Sequence, residues 1–319
     1  MCVIAVMKAA DWQKKQVNVR LFEREERIVA EIIAQVKEEG DAALREWTRR
    51  LDGAAPEMLT VSDEEAERAF REVDDAFLQA LDAAVERIRR YHEKQKQTSW
   101  LSAEEDGAVL GQLVHPLERV GIYVPGGRAA YPSTVLMTAI PAQVAGVGEI
   151  VLATPPRPDG TIHPHTLVAA KMAGVHRIVK AGGAQAIAAL AYGTESVPAV
   201  DKIVGPGNIY VALAKRQVFG QVGIDSIAGP SEIVVIADDS APPDWVAADL
   251  LSQAEHDPMA SAILITPSRR LAEEVAEELK RQCGLLERKE IAAASLRKNG
   301  AILLTDTLEE AVETANRLA

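Results

Sequence analysis

Cysteine is nearly absent: Cys2 and Cys283 are the two in 319 residues. That is too few for a disulfide framework, and the usage fits a reducing compartment, the cytoplasm. Positive charge is also short. Lys and Arg number 35 against 47 Asp and Glu, a formal net charge of −12, whereas proteins that live on phosphate backbones or anionic membranes need clustered basic residues. No apolar run approaches the roughly 20 residues of a membrane span. Residues 1–7 are apolar but lack a basic leader and soon meet Lys14 and Lys15, so they do not read as a secretory signal. A nucleic-acid binder, a membrane protein and a disulfide scaffold are all disfavoured. What remains is an ordinary globular composition, 48% hydrophobic and 26% charged, with length for about two domains.

The character of the chain changes near residue 105. Before it, the pattern is helical and highly charged. A helix is predicted from about Glu23 to Glu39, stopping at Gly40. Ser62-Asp63-Glu64-Glu65 has the form of a capping box, in which Ser62 accepts from an early backbone N–H and Glu65 reaches back. Ala66, Ala69, Phe70, Val73, Phe77, Leu81, Val85 and Ile88 then recur at helical spacing, predicting one long amphipathic helix to about Gln97. No strand signal of any strength appears in this part.

From residue 119 short β-branched runs alternate with helical stretches. Val120–Val124, Ile150–Ala153, Arg177–Lys180 and Lys202–Val204 each lead into a Gly- or Pro-marked turn. Their starts lie about 25 to 30 residues apart, the size of a βα unit, which predicts a parallel doubly wound sheet. A second series, Ile233–Ala237, Ala262–Thr266 and Ala301–Leu304, follows Gly229-Pro230, the predicted boundary between the series.

Four strand ends carry glycine or polar turns: residues 125–127, 181–185, 205–208 and 228–232. Beyond the carboxyl ends of parallel strands, backbone N–H groups and helix N-termini face a ligand, and glycine permits close approach. One such turn is ordinary loop chemistry; four at equivalent positions point to a binding rim. None fits G-x-G-x-x-G, so the usual dinucleotide fingerprint is missing. Gln253 and His256 stand at i, i+3 where a helical stretch ends, so an amide oxygen and an imidazole nitrogen share one face. Standing alone, a Gln and a His three apart usually describe a solvated helix face; the alternative is a pair of metal donors. Cys283 has no local sign of thiolate activation and reads as a packing residue.

Several segments resemble histidinol dehydrogenase. They are Gly121 to Gly127 (GIYVPGG), Tyr131 to Met137 (YPSTVLM), Gly182 to Val197 (GGAQAIAALAYGTESV), Val204 to Asn208 (VGPGN), Ala228 to Ile233 (AGPSEI) and Leu250 to Asp257 (LLSQAEHD). The resemblance implies an α/β fold of two Rossmann-like, aldehyde-dehydrogenase-like doubly wound domains with a helical N-terminal region. It also implies a zinc-dependent homodimer that oxidises L-histidinol to L-histidine with two NAD. Residue by residue, it places NAD against Tyr123, Gln185 and Asn208, substrate near Ser231, Gln253 and His256, and zinc on Gln253 and His256. The expected domains are an N-terminal arm (1–20), a discontinuous first α/β domain (21–123 with 230–319) and an NAD-binding domain (124–229).

An amphipathic helix is predicted over the last residues, from Leu308 through Leu318 to Ala319. In the family this helix leads into a Pro-Glu-His segment carrying the general base and the water-activating glutamate. An aspartate and a histidine farther on complete the zinc shell. The resemblance therefore puts the family's base and acid beyond Ala319, outside these 319 residues. No catalytic residue is assigned among them, the C-terminal domain of the family is missing, and the chain by itself is expected to be inactive. The competing expectation is a non-catalytic NAD-binding or dimerisation remnant. A different aldehyde dehydrogenase needs a nucleophilic cysteine, and Cys2 and Cys283 lie outside every motif.

Overall fold

The structure is a computed structural model and describes residues 4–12, 22–54, 56–126, 130–227 and 231–318. In chain order its first elements are β1 (Ala5–Lys8), α1 (Glu23–Glu39), α2 (Asp41–Leu51), α3 (Asp63–Arg71) and α4 (Asp75–Glu93). Next come β2 (Trp100–Ala103), β3 (Val109–Gln112), β4 (Arg119–Tyr123), α5 (Pro132–Val144), β5 (Glu149–Thr154), α6 (Pro164–Met172) and β6 (Arg177–Lys180). They are followed by α7 (Gly183–Tyr192), β7 (Lys202–Val204), α8 (Ile209–Val218), β8 (Gly223–Ile224) and β9 (Glu232–Ile236). The last are α9 (Pro243–Ala254), β10 (Ser261–Thr266), α10 (Arg269–Cys283), α11 (Lys289–Asn299), β11 (Ala301–Leu304) and α12 (Leu308–Leu318). Two compact units result: residues 4–12 with 231–318 form one, and residues 22–227 the other.

The larger unit is built on a parallel sheet in the order β6-β5-β4-β7-β8. The order reverses between β4 and β7, the position at which doubly wound sheets open a crevice beyond the strand ends. Both faces are covered, so the central strands are apolar past their first residues, as in Val120–Tyr123 and Ile150–Ala153. In β5, Ile150 and Leu152 enter one core with α4, α5 and α6, while Val151 and Ala153 enter the other with α1, α2, α7 and α8. Helix α1 qualifies for that second core because Val29, Ile32, Ile33 and Val36 fall on one stripe. It ends where Gly40 takes a φ of +57°. The smaller unit carries a parallel sheet in the order β1-β11-β10-β9, with its core between the sheet and α9, α10 and α11.

The doubly wound sheets and all seven predicted strands stand where the periodicity put them. Other expectations need correction. The expected grouping of 21–123 with 230–319 differs from the observed division. Strand β4 is hydrogen-bonded between β5 and β7, and α1 to α4 pack on that same sheet, so 22–123 belongs with 124–227. Part of the expected N-terminal arm is a strand: β1 pairs in parallel with β11, Ala5 opposite Ala301. The single helix predicted from 62 to 97 is two helices. Asp74 Oδ1 accepts from the Phe77 N–H at 2.7 Å, so a fresh N-cap restarts the chain after α3. Half of the capping box forms: Ser62 Oγ accepts from Glu65 N–H, but the Glu65 carboxylate meets Lys180 Nζ at 2.6 Å instead of reaching back. Strands β2 and β3 form an antiparallel hairpin in the part expected to lack strands. The overlooked signal is Asp106-Gly107, a dipeptide suited to a tight turn, with Gly107 at φ +86°. Cys283 is buried in the core of the smaller unit, and Cys2 lies outside the described residues.

The predicted last helix is present as α12, described as far as Leu318, which is buried against the β10 and β11 side of its sheet with Ala311. Ala319, the expected last residue of this helix, lies outside the described residues. So do Gly127 and residues 228–230, which include the predicted boundary.

Candidate functional site

In the larger unit the glycine turns after β6 and β7 converge on Tyr123. Strand β4 ends there, with the ring buried. The Tyr123 hydroxyl accepts from Gly183 N–H at 3.0 Å, the first residue of α7. A Cβ on Gly205 would lie 2.2 Å from the Tyr123 carbonyl oxygen, so the turn after β7 approaches β4 as only glycine permits. Gln185, in the first turn of α7, is wholly buried. Tyr123 and Gln185 are thus brought together across the α7 N-terminus. Asn208 ends the neighbouring turn, is exposed, and uses its Oδ1 to accept from Val211 N–H at 3.2 Å as the N-cap of α8.

A carboxylate that the sequence did not suggest sits in the same cluster. Asp52, the residue that ends α2, accepts at Oδ2 from Gly182 N–H (3.1 Å) and from Gln185 Nε2 (3.2 Å). Burial pushes its carboxyl up to about 6, against the pull of those two hydrogen bonds. The Tyr123 phenol is pushed up to about 12, first by burial and then by the Asp52 charge, with the Gly183 N–H opposing. Gln185 Oε1 is buried and has no hydrogen-bond partner, which is costly unless a ligand or water satisfies it.

The turn after β7 is held from behind by an ion pair. Lys215, almost fully buried, donates to the Gly205 carbonyl at 3.0 Å and to Asp225, while Gly205 N–H donates to Asp225 Oδ2 at 2.8 Å. Burial alone raises the Asp225 carboxyl, but the Lys215 contact and the backbone N–H bonds bring it below the usual carboxylate range. Lys215 is buried whereas the Asp225 side chain keeps about a third of its surface in water, so Lys215→Met, which removes the buried bond to the Gly205 carbonyl and the screened pair with Asp225, is expected to destabilise this unit by about 1–2 kcal/mol, measured by denaturant melts.

The other candidates lie in the smaller unit. Ser231 is exposed and immediately precedes β9, and its carbonyl accepts from Ser261 N–H at 3.1 Å. Gln253 is in the last turn of α9; its Nε2 is buried without a hydrogen-bond partner. His256 is exposed, two residues past the helix end, and its N–H donates to the Gln253 carbonyl at 3.2 Å. Among the described residues no group of three or more His, Cys, Asp or Glu is placed to hold a metal ion. The pair therefore matches zinc in donor type, and its two donors fall short of the four or so that zinc takes.

A family model described as histidinol dehydrogenase matches residues 15–319. The chain is 62% identical over 291 residues to a histidinol dehydrogenase of Halalkalibacterium halodurans, covering 91% of this chain and 69% of that protein. Against that of Bacillus cereus it is 52% identical over 317 residues, covering 97% and 74%. The crystal structure of histidinol dehydrogenase from Elizabethkingia anophelis matches with a TM-score of 0.89 at 38% identity, covering 99% of this chain and 74% of that one. The fold is accordingly the Rossmann-like, aldehyde-dehydrogenase-like α/β architecture that the motifs implied.

Proposed function

Because the chain belongs to the histidinol dehydrogenase family, we propose that it serves the NAD-dependent oxidation of L-histidinol, through L-histidinaldehyde, to L-histidine. The observation that carries this reading is Gln185: a wholly buried amide with an unpartnered oxygen, at a helix N-terminus beside the sheet's reversal point. That orphaned acceptor, the Tyr123 hydroxyl and the exposed Asn208 amide suit a dinucleotide, which carries both donors and acceptors. NAD, when bound, supplies the hydride acceptor. Tyr123 ties β4 to α7 through Gly183, so the two elements lining this site are braced against each other. Replacing Gln185 by alanine is expected to weaken NAD binding at least tenfold in a calorimetric titration. Unchanged affinity would place the dinucleotide elsewhere.

Ser231, Gln253 and His256 are the proposed substrate contacts, with Gln253 and His256 contributing two donors to zinc. In the family reading the remaining donors come from beyond Ala319, as do the general base and the water-activating glutamate. The 319 residues taken alone are therefore proposed to bind NAD without completing the oxidation.

The family reading also includes a homodimer. The β2–β3 hairpin supports it, because Trp100, Leu101, Val109 and Leu110 are all more than half exposed and an isolated two-stranded hairpin is marginal in water. Substituting Leu101 and Leu110 together by lysine is expected to shift the light-scattering mass from dimer to monomer. A dimer that survives the double substitution removes the hairpin from the interface.

A further inference from the structure

The two ends of the Gln185 amide bond differently, and Asp52 decides which end faces where. A carboxylate only accepts hydrogen bonds, so the Gln185 amide turns its NH2 toward Asp52 Oδ2, at 3.2 Å. The oxygen is left on the other side, buried and without a partner. Two glycines make the arrangement possible. A Cβ on Gly182 would lie 2.9 Å from Asp52 Oδ1, and one on Gly183, at φ +57°, would lie 2.8 Å from Gln185 Oε1. The carboxylate also stands at the positive end of α7, where its Gly182 bond takes up an amide that would otherwise attract an anion.

We infer that Asp52 is a positioning residue of the dinucleotide site: it presents the Gln185 oxygen to a hydrogen-bond donor of the ligand, and it reserves the α7 N-terminus from phosphate. The group that meets Gln185 is thus a ribose hydroxyl or a carboxamide N–H, not a phosphate oxygen. This rests on the reading that NAD binds at Tyr123, Gln185 and Asn208. Protonated Asp52 is a donor on one oxygen, so the Gln185 amide is then free to turn over and offer its NH2 to the ligand instead. The groups facing Asp52 from other elements are the Tyr123 phenol on β4 and the Gly182 amide and Gln185 side chain at the start of α7. On its own helix, Arg49 pairs with Glu46 and Arg50 lies over the Trp47 ring. Lys180, at the end of β6, is paired with Glu65.

The experiment is NAD titration from pH 5 to pH 8 on the unsubstituted chain, on Asp52→Asn and on Gln185→Ala, with thermal melts alongside. The unsubstituted chain is expected to lose about tenfold in affinity as pH falls through about 6. Asp52→Asn offers one donor and one acceptor, as the protonated carboxyl does, so it is expected to bind about as weakly at every pH as the unsubstituted chain does in acid, with a flat profile and a melt no lower than that of the unsubstituted chain. Asp52→Asn that binds as tightly as the unsubstituted chain, with the same pH profile, overturns the role of Asp52 if Gln185→Ala is weakened. If Gln185→Ala also binds normally, the dinucleotide site itself is misplaced and the inference falls with it.

Discussion

Residues 1–319 assayed by themselves with histidinol, NAD and zinc are expected to yield no measurable NADH, while the same residues extended past Ala319 through a Pro-Glu-His segment are expected to be active. A positioned acid or base contributes about 10²–10⁴-fold, so losing the base and the water-activating carboxylate together removes several factors of ten. Among the described residues no ready substitute stands near the proposed cofactor contacts. Asp52 has a carboxyl shifted toward neutrality, as a base requires, but its Oδ2 is committed to Gly182 and Gln185. His256 carries an imidazole, and the same imidazole is one of the two metal donors proposed in its unit. Two donors also hold zinc and substrate loosely, and poor orientation costs further rate. The check is absorbance of NADH at saturating histidinol, with the two polypeptides at equal concentration. Comparable rates from both would reveal catalytic groups within residues 1–319 and overturn the proposal that the oxidation needs more chain.

The strands around the proposed NAD site were legible because each is a short β-branched run ending in a glycine turn, a pattern that parallel sheets impose locally. Gln185 and Asn208 were legible only through resemblance. A buried glutamine in GGAQAIAALAY is indistinguishable, by periodicity, from a polar residue on a solvated face. Asp52 left no trace at all. Its place after a charged helix and before Gly53 reads as a helix stop, and its partners lie 130 and 133 residues away. The hairpin is hard to read for another reason: its strands are short and exposed throughout, so no alternation of buried and exposed positions marks them. Helices α3 and α4 ran together in the sequence because Val73, which packs on the core between them, kept the apolar spacing intact across the break. Spacing reports which face is buried; it does not report whether the backbone restarts.

Asp52→Asn is expected to make the larger unit more stable at pH 7.5, and this gain is expected to vanish in acid. The sign follows from burial. The folded carboxyl titrates at about 6 against an ordinary value of 3.8, so the folded state holds its proton more tightly than the unfolded chain. Ionising Asp52 in the folded protein therefore costs stability. The cost is complete above about pH 6, shrinks as pH falls from there to 3.8, and is absent below. A shift of about two units corresponds to about 3 kcal/mol at most, and asparagine gives back part of it by weakening the bonds to Gly182 and Gln185. A net gain of about 1–2 kcal/mol, or about 3–6 °C in the transition of a unit this size, is expected at pH 7.5. Calorimetry at pH 7.5 and pH 4.5 reads it as a separation of the two transitions that closes in acid. A variant less stable than the unsubstituted chain at pH 7.5 would mean that the bonds from Gly182 and Gln185 outweigh desolvation. If the gain appears, the unsubstituted chain keeps a charge that costs it stability at neutral pH. The arrangement it maintains, an amide fixed with its oxygen toward the ligand, is then explained by binding and not by folding.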